Sequence, residues 1–404
     1  MTQPSRKYRV AYLVTHPIQY QAPLLRLIAA QPDIDLTVFF QSDLSLKAYR
    51  DEGFGRSIRW DVDLLEGYRS EFLPAIGRRD TIEGGRPFNY GISSRLRRGR
   101  FDVLWVHGTA LWFNWVAMLA ARMASIPVLM RDEATLISAN RSAAKIWLKR
   151  QLFFHALGRV CAGFLAIGTL NRRYYLENGI TAERIFPVPY CVDNGYFADR
   201  AAAAAPQREA FRAKLELEPG RPVILYASKL QRRKRAGDLL AAFAALREMN
   251  PARKPYLLFV GDGEQRRELE ERARPLAGDV RFLGFMNQSE LPAIFDLCDV
   301  FVLPSDQEPW GLVVNEAMNA GRAVIVSNQV GCGSDLVRDG VNGFVYPVGD
   351  AAALAKALAS VLRDPAMTQA MGRASAEIIG GWDFQRDLDG LRAAIRHATA
   401  GRLT

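Results

Sequence analysis

The run YRVAYLV (Tyr8 to Val14) is apolar over a strand's length. It is followed by the loop THPIQYQAP and the helical pattern LLRLIAA. LTVFF (Leu36 to Phe40), DVLWV (Asp102 to Val106), PVLM (Pro127 to Met130) and GFLAIG (Gly163 to Gly168) repeat the strand pattern, with helical stretches between them. That alternation predicts a parallel sheet covered on both faces. From Ala198 to Gly220 the composition shifts to an alanine run and a charged stretch ending at Pro219-Gly220, which reads as a boundary. Beyond it VILYAS (Val223 to Ser228), YLLFVG (Tyr256 to Gly261), VRFLGF (Val280 to Phe285), VFVLPS (Val300 to Ser305) and AVIVSN (Ala323 to Asn328) alternate with helices again. The expected fold class is therefore α/β, with two Rossmann-like domains. Open parallel sheets bind ligands beyond the carboxyl ends of their strands, so the chemistry is expected just after those strands, in a cleft between the domains.

Length supports two domains, since 404 residues exceed what one ordinary core covers. With 49% hydrophobic and 24% charged residues, the composition excludes extended disorder. Cys161, Cys191, Cys298 and Cys332 show no metal-ligand spacing, so a reduced, cytoplasmic protein is expected. The basic residues Arg6, Lys7 and Arg9 precede an apolar run that stops at Thr15, too short for a signal peptide. The longest apolar region, Val103 to Ala121, is broken by His107, Gly108, Thr109 and Asn114, and reads as strand plus helix. No membrane span is expected.

The net charge of +10 is uneven. Residues 1–195 hold 26 Lys and Arg against 17 Asp and Glu, and the remainder 27 against 26. A basic half suits an anionic membrane surface, a phosphorylated substrate or a nucleic acid, and a merely solvated surface is the competing reading. Few aromatic residues lie among Arg95, Arg97, Arg98 and Arg100, which disfavours nucleic acid. The stretch Ala144 to Val160, with Trp147, Leu148, Phe153 and Phe154 beside Lys145, Lys149, Arg150 and Arg159, could lie on a membrane or pack on its own sheet.

The densest chemistry is in PSDQEPWGLVVNEAMNAG, residues 304–321. Pro304 and Ser305 end a strand, Pro309 favours a turn, and Gly311 onward reads as a helix holding Glu316 about one turn in. The N-terminal end of such a helix suits a phosphate. Two carboxylates, Glu308 before the helix and Glu316 within it, can each accept bonds from vicinal hydroxyls, a natural way to hold a sugar and a ribose. A second cluster, ASKLQRRKRAGDLLAAF (residues 227–243), brings Lys229 and Lys234 with Arg232, Arg233 and Arg235 to a helix start. Fixed cations there lower the barrier to departure of a diphosphate, whereas a solvated charge run is the plainer alternative.

Residues 304–321 and the later VGCGSDLVRDGVNGFVYP resemble the Glu-x7-Glu segment of the retaining glycosyltransferases of family 4, enzymes of GT-B fold. The resemblance implies transfer of a sugar from a nucleoside diphosphate donor to a hydroxyl acceptor; the uneven charge adds the expectation of a lipid-linked or saccharide acceptor at an inner membrane face, and so of cell-surface glycan or glycolipid synthesis. It assigns Glu308 to the donor sugar and Glu316 to the ribose, with Gly311, Leu312 and Val313 at the donor. Ser228, Lys229 and Lys234 stand where the family has glycine, arginine and lysine, and the change of Arg to Lys keeps charge without the bidentate fork. GDGEQRRELE places Gly261 and Gly263 at the nucleotide loop, and Phe285 and Met286 follow near the base through backbone groups.

In the first domain the family's glycine pair is replaced by Thr15-His16-Pro17, which makes His16 an acceptor-side candidate or a loop residue. PVLMRDEAT offers Arg131 to the leaving group or sugar or, equally, to a salt bridge, and His107, at the end of DVLWV, is a third cleft candidate. Asp193 and Asn194 read as structural. Asp33 with Asp35 and Asp61 with Asp63 could pair on a metal, but neither pair follows a suitable strand, and the lysines supply the charge, so no essential metal or other cofactor is expected. The expected division is 1–197 for the acceptor side, 198–220 as linker, 221–380 for the nucleotide sugar and 381–404 as a helical segment returning to the first domain. A nucleotide-sugar epimerase of the same fold and a non-catalytic binding module are the rival readings.

Overall fold

The apolar runs become two parallel sheets. The computed structural model describes residues 7–82, 87–138, 154–249 and 253–400, so residues 144–153 of the basic amphipathic stretch, and Arg6, lie outside the described residues. One unit comprises residues 1–49, 62–190 and 384–404, and the other residues 50–61 and 191–383.

The first unit's sheet has seven strands: β1 (Tyr8–Val14), β2 (Ile34–Phe40), β3 (Arg69–Phe72), β4 (Val103–His107), β5 (Val128–Arg131), β6 (Cys161–Ala166) and β7 (Ile185–Pro187). Their order is β7-β6-β5-β4-β1-β2-β3, all parallel. Successive side chains of a strand point to opposite faces, so an unbroken apolar run requires cover on both. Ala11, Leu13, Leu104 and Val106 face one core with Phe113, Ala117 and Ala121 of the helix Trp112–Met123. Val10, Tyr12, Val103 and Trp105 face the other, closed by Leu388, Leu391, Ala394 and Ile395 of the final helix Phe384–Thr399.

The second sheet has six strands: β8 (Val223–Ala227), β9 (Tyr256–Val260), β10 (Val280–Gly284), β11 (Val300–Leu303), β12 (Ala323–Ser327) and β13 (Gly343–Tyr346). The order is β10-β9-β8-β11-β12-β13, again all parallel. Each sheet therefore reverses its winding beside its first strand, between β1 and β4 in one and between β8 and β11 in the other. Such a reversal leaves a crevice at the carboxyl ends of the two strands.

Residues 198–220 are not a linker: Asn194–Ala204 and Arg208–Lys214 are helices of the second unit. Alanine is the best helix former, so a run of five favours a helix over a flexible joint. Asp193 caps the first of these helices by accepting from the Tyr196 N–H (3.0 Å), and Asn194 donates to the Ile379 carbonyl (3.0 Å). The second unit begins at Cys191 and also takes in residues 50–61, a contribution the linear division did not foresee. No helix among the described residues is long and apolar enough to cross a membrane.

Candidate active site

The crevice of the second unit is built from the ends of β8 and β11. After β8, residues Arg232–Lys234 form a short 3-10 turn, and Arg235, with φ 53°, leads into the helix Ala236–Glu248. This turn sorts the basic run: Arg232 and Arg233 stay exposed, while Lys234 is 8% exposed. A solvated charge run would not bury one of its ammonium groups. Lys234 bonds to a Glu308 carboxylate oxygen, and Arg233 stands 3.7 Å from the same oxygen. Burial lowers the Lys234 ammonium from its usual range, and Glu308 opposes that shift by stabilising the charge.

Glu308 is held by its own backbone, which donates to the Gln329 carbonyl and accepts from Gly331 N–H, each at 2.9 Å. The Asp306 N–H bonds the Arg233 carbonyl at 2.7 Å, which ties the two segments together. Trp310 donates its ring N–H to the buried Asn315 (3.0 Å) and stacks on Trp382 at 5.4 Å. Gly311, with φ 97°, then starts the helix Leu312–Asn319, and a Cβ there would meet Leu303 at 2.8 Å. Only glycine meets both demands.

Glu316 lies one turn into that helix and is half-buried, with neither hydrogen bond nor ion pair among the described residues. Burial raises its carboxyl to about 8. A carboxyl kept in a low-dielectric position without a partner is poised for hydroxyl donors from a ligand.

Gly261 and Gly263 follow β9 at φ 128° and 153°, and a Cβ on either would strike the backbone carbonyl of Ser228 or Leu230, at 2.0 and 2.6 Å. Their role in the structure is to let the loops after β8 and β9 touch, through Leu230 N–H to the Asp262 carbonyl at 2.8 Å. Phe285 and Met286, after β10, are half-buried. The Phe285 ring packs edge-on against Phe54 (4.9 Å) and near Trp60 (6.4 Å), both from the segment 50–61. The same segment supplies Asp51, whose carboxylate accepts from Lys229 at 2.8 and 3.0 Å, and Phe54, whose ring lies 4.8 Å from that ammonium. Asp51 and Phe54 are the site residues that sequence reasoning missed; they lie 178 and 175 positions before Lys229, and no local signal joins them to it.

The crevice of the first unit holds His16 after β1 and His107 at the end of β4. Burial, helped by His107, lowers His16 to about 4, so its ring is neutral at pH 7, and its Nδ1 lies 2.9 Å from the Thr15 hydroxyl. His107 sits between two tyrosines, its Nδ1 3.0 Å from the Tyr12 hydroxyl and its Nε2 3.2 Å from that of Tyr190. Tyr190 also donates to Glu133 (2.5 Å).

Of the two readings of Arg131, the structure carries the salt bridge. The residue is 2% exposed, ends β5, and donates to the carbonyls of Val188 (3.1 Å) and Pro189 (3.3 Å) and to Asp387 (3.3 Å) of the final helix. Its guanidinium also covers the Tyr190 ring at 4.6 Å. A planar cation so enclosed braces the unit and presents no face to a substrate. The aspartates considered for metal are likewise in use. Asp33 pairs with Arg392 (2.7 Å) and Asp35 with Arg9 (3.5 Å), while Asp61 accepts from Ser289 and Asp63 from the N–H groups of Leu65 and Glu66 (2.9 Å).

Residues 207–378 match the family model described as "Glycosyl transferases group 1". Over 165 residues, 40% of this chain, the sequence is 36% identical to a glycogen synthase of Mycobacterium tuberculosis, and that match spans 39% of the relative's length. Over 324 residues, 80% of this chain and 78% of the relative, it is 27% identical to a phosphatidyl-myo-inositol mannosyltransferase of Mycolicibacterium smegmatis. A glycosyltransferase structure from Rickettsia africae superposes with a TM-score of 0.71 at 15% identity, covering 97% of this chain and 98% of the other. The Anabaena protein HepE in complex with UDP-glucose gives 0.67 at 19% identity, covering 98% and 100%.

Proposed function

We propose, for a chain of GT-B fold whose residues 207–378 match the model of glycosyl transferases group 1, transfer of a sugar from a nucleoside diphosphate donor to a hydroxyl acceptor, with retained configuration. The observation that carries this reading is the pair of unlike carboxylates that follow β11: Glu308 bound to the buried Lys234, and Glu316 without a partner among the described residues and raised to about 8. A diphosphate takes the place between Lys234, Lys229 and the free N–H groups at the start of the helix Leu312–Asn319. Glu316 receives the vicinal hydroxyls of the ribose, and Glu308 those of the donor sugar.

In the reaction the bond from the anomeric carbon to the leaving phosphate oxygen breaks while the acceptor oxygen bonds on the same face. A phosphate oxygen takes the acceptor proton. Charge gathers on the diphosphate, where the two lysines already stand, so little reorganisation is needed. Those lysines also supply what a metal ion would, and transfer should continue in excess chelator. His16, neutral at pH 7, and His107 belong to the acceptor side as hydrogen-bonding groups. An acceptor carrying a saccharide or lipid fits best, since relatives include the phosphatidyl-myo-inositol mannosyltransferase and a lipopolysaccharide core glycosyltransferase of Rhizobium meliloti.

The test is calorimetric titration with a panel of nucleoside diphosphate sugars, followed by product analysis with the preferred donor. Tight binding by one donor, and loss of transfer in Glu308→Ala, are the expected results. No binding by any donor, or undiminished transfer by Glu308→Ala, would overturn the assignment.

A further inference from the structure

The helix Trp112–Met123 is apolar on two opposite sides. Phe113, Ala117, Met118 and Ala121 are buried on the sheet. Trp112, Val116, Leu119 and Met123, spaced i, i+4, i+7 and i+11, form one stripe on the far side and are 44%, 39%, 57% and 81% exposed. A surface helix ordinarily carries charge there, and a contiguous exposed apolar patch marks a docking surface. The patch continues into two short paired strands: Ile76, 71% exposed, lies opposite Phe88, whose ring is 6.2 Å from Trp112. Tyr90, 54% exposed, follows.

The rim of this patch is cationic. The helix Ile92–Gly99 packs beside Trp112–Met123 and bears the exposed Arg97 and Arg98, with Arg100 at its end. Arg122 is exposed on the stripe's own helix. From residue 87 to 127 there are five arginines and a single acidic residue, Asp102, whose carboxylate accepts the Arg9 N–H at 2.8 Å.

We propose that this face of the first unit docks on an anionic bilayer surface. The stripe inserts at the level of the acyl boundary, Trp112 and Tyr90 sit at the headgroups with their amphipathic rings, and the arginines meet lipid phosphates. A second copy of the chain is the poorer occupant, because it would bring two cationic rims together. The inference does not rest on the sugar-transfer reading and can fail independently of it.

The experiment is cosedimentation of the full chain with vesicles of phosphatidylcholine alone or mixed with phosphatidylglycerol. Two double variants, Leu119→Asn with Met123→Asn and Arg97→Glu with Arg98→Glu, are compared with the unaltered protein. All four positions are exposed, so thermal unfolding should be unchanged in both variants and serves as the folding control. Binding should require phosphatidylglycerol, weaken with salt, and fall about tenfold or more in each variant. Absence of binding to the anionic vesicles at low salt would overturn the proposal, as would undiminished binding by correctly folded variants. A dimer in sedimentation velocity that the Leu119 and Met123 changes abolish would assign the stripe to self-association and overturn it equally.

Discussion

Each unit buries one cation against one carboxylate near the carboxyl ends of its strands, and the two pairs have different surroundings. In the first unit Arg131 and Asp387 have side chains 2% and 0% exposed, and the guanidinium is further occupied by two backbone carbonyls. In the second, the Lys234 and Glu308 side chains are 10% and 12% exposed, and Glu308 precedes the start of the helix that carries Glu316, which has no hydrogen-bond or ion-pair partner among the described residues. The first pair joins strand to helix across 256 positions and is sealed on all sides. The second is tied to the loops of a crevice and can exchange partners when an anion arrives. A buried ion pair alone does not identify a catalytic group; access and spare hydrogen-bonding capacity on its neighbours do.

The largest effect should come from Arg131→Met, which leaves Asp387 buried without its cation and should cost about 3–5 kcal/mol of stability. Denaturant unfolding measures the loss, and donor affinity of the folded fraction should be unchanged; an equal loss of donor affinity would place Arg131 in the site after all. Lys234→Met should do the reverse, lowering kcat/KM by about 10²–10³-fold in a protein that still folds, as removal of one charge-stabilising donor does in other active sites. Should both variants behave alike, the contrast between the pairs would dissolve.

Glu316→Gln sharpens the comparison through pH. The native carboxyl, raised to about 8, keeps its proton where the unfolded one, at the ordinary value near 4.5, has lost it. The native state therefore holds more protons than the unfolded state between those values, and wild-type stability falls as pH rises through that window. The glutamine variant lacks this dependence, so its advantage in Tm should grow from pH 5 to 8 while donor affinity drops about tenfold, as expected for a lost hydrogen bond to the ligand. The smallest effect belongs to Asp51→Asn. Lys229 keeps a hydrogen-bond partner but loses the charge beside it, and KM for the donor should shift by roughly two- to fivefold, the range of a partly exposed ion pair, with kcat unchanged.

Much of this was legible in the sequence. Strands such as VILYA and VFVL announce themselves because burial on both faces demands unbroken apolar runs, and their spacing forces helical crossovers between them. Glu308 and Lys234 could be singled out as candidates because each follows such a strand within a few residues, and Glu316 because it lies one turn into the helix that comes next. The glycines at 261 and 263 were visible as a loop, but their φ angles and the close approach to Ser228 and Leu230 depend on which strands become neighbours. Arg131 was ambiguous for the same reason: its partner lies in the last helix, and a salt bridge across that distance leaves no local trace. The alanine run after Ala201 misled because a composition shift resembles a joint, while helix propensity pointed the other way. The exposed stripe on Trp112–Met123 was hidden by its neighbours, since a helix apolar on both sides reads as a core helix until one side is found exposed.

The final helix also sets an order in time. As the chain leaves the ribosome, residues 191–383 are complete before Leu388, Leu391 and Ile395 have been made, and until then one face of the first sheet, with Tyr12 and Trp105, has nothing to close it. The first sheet, although its strands are synthesised first, therefore cannot be closed until the last residues of the second unit have also been made.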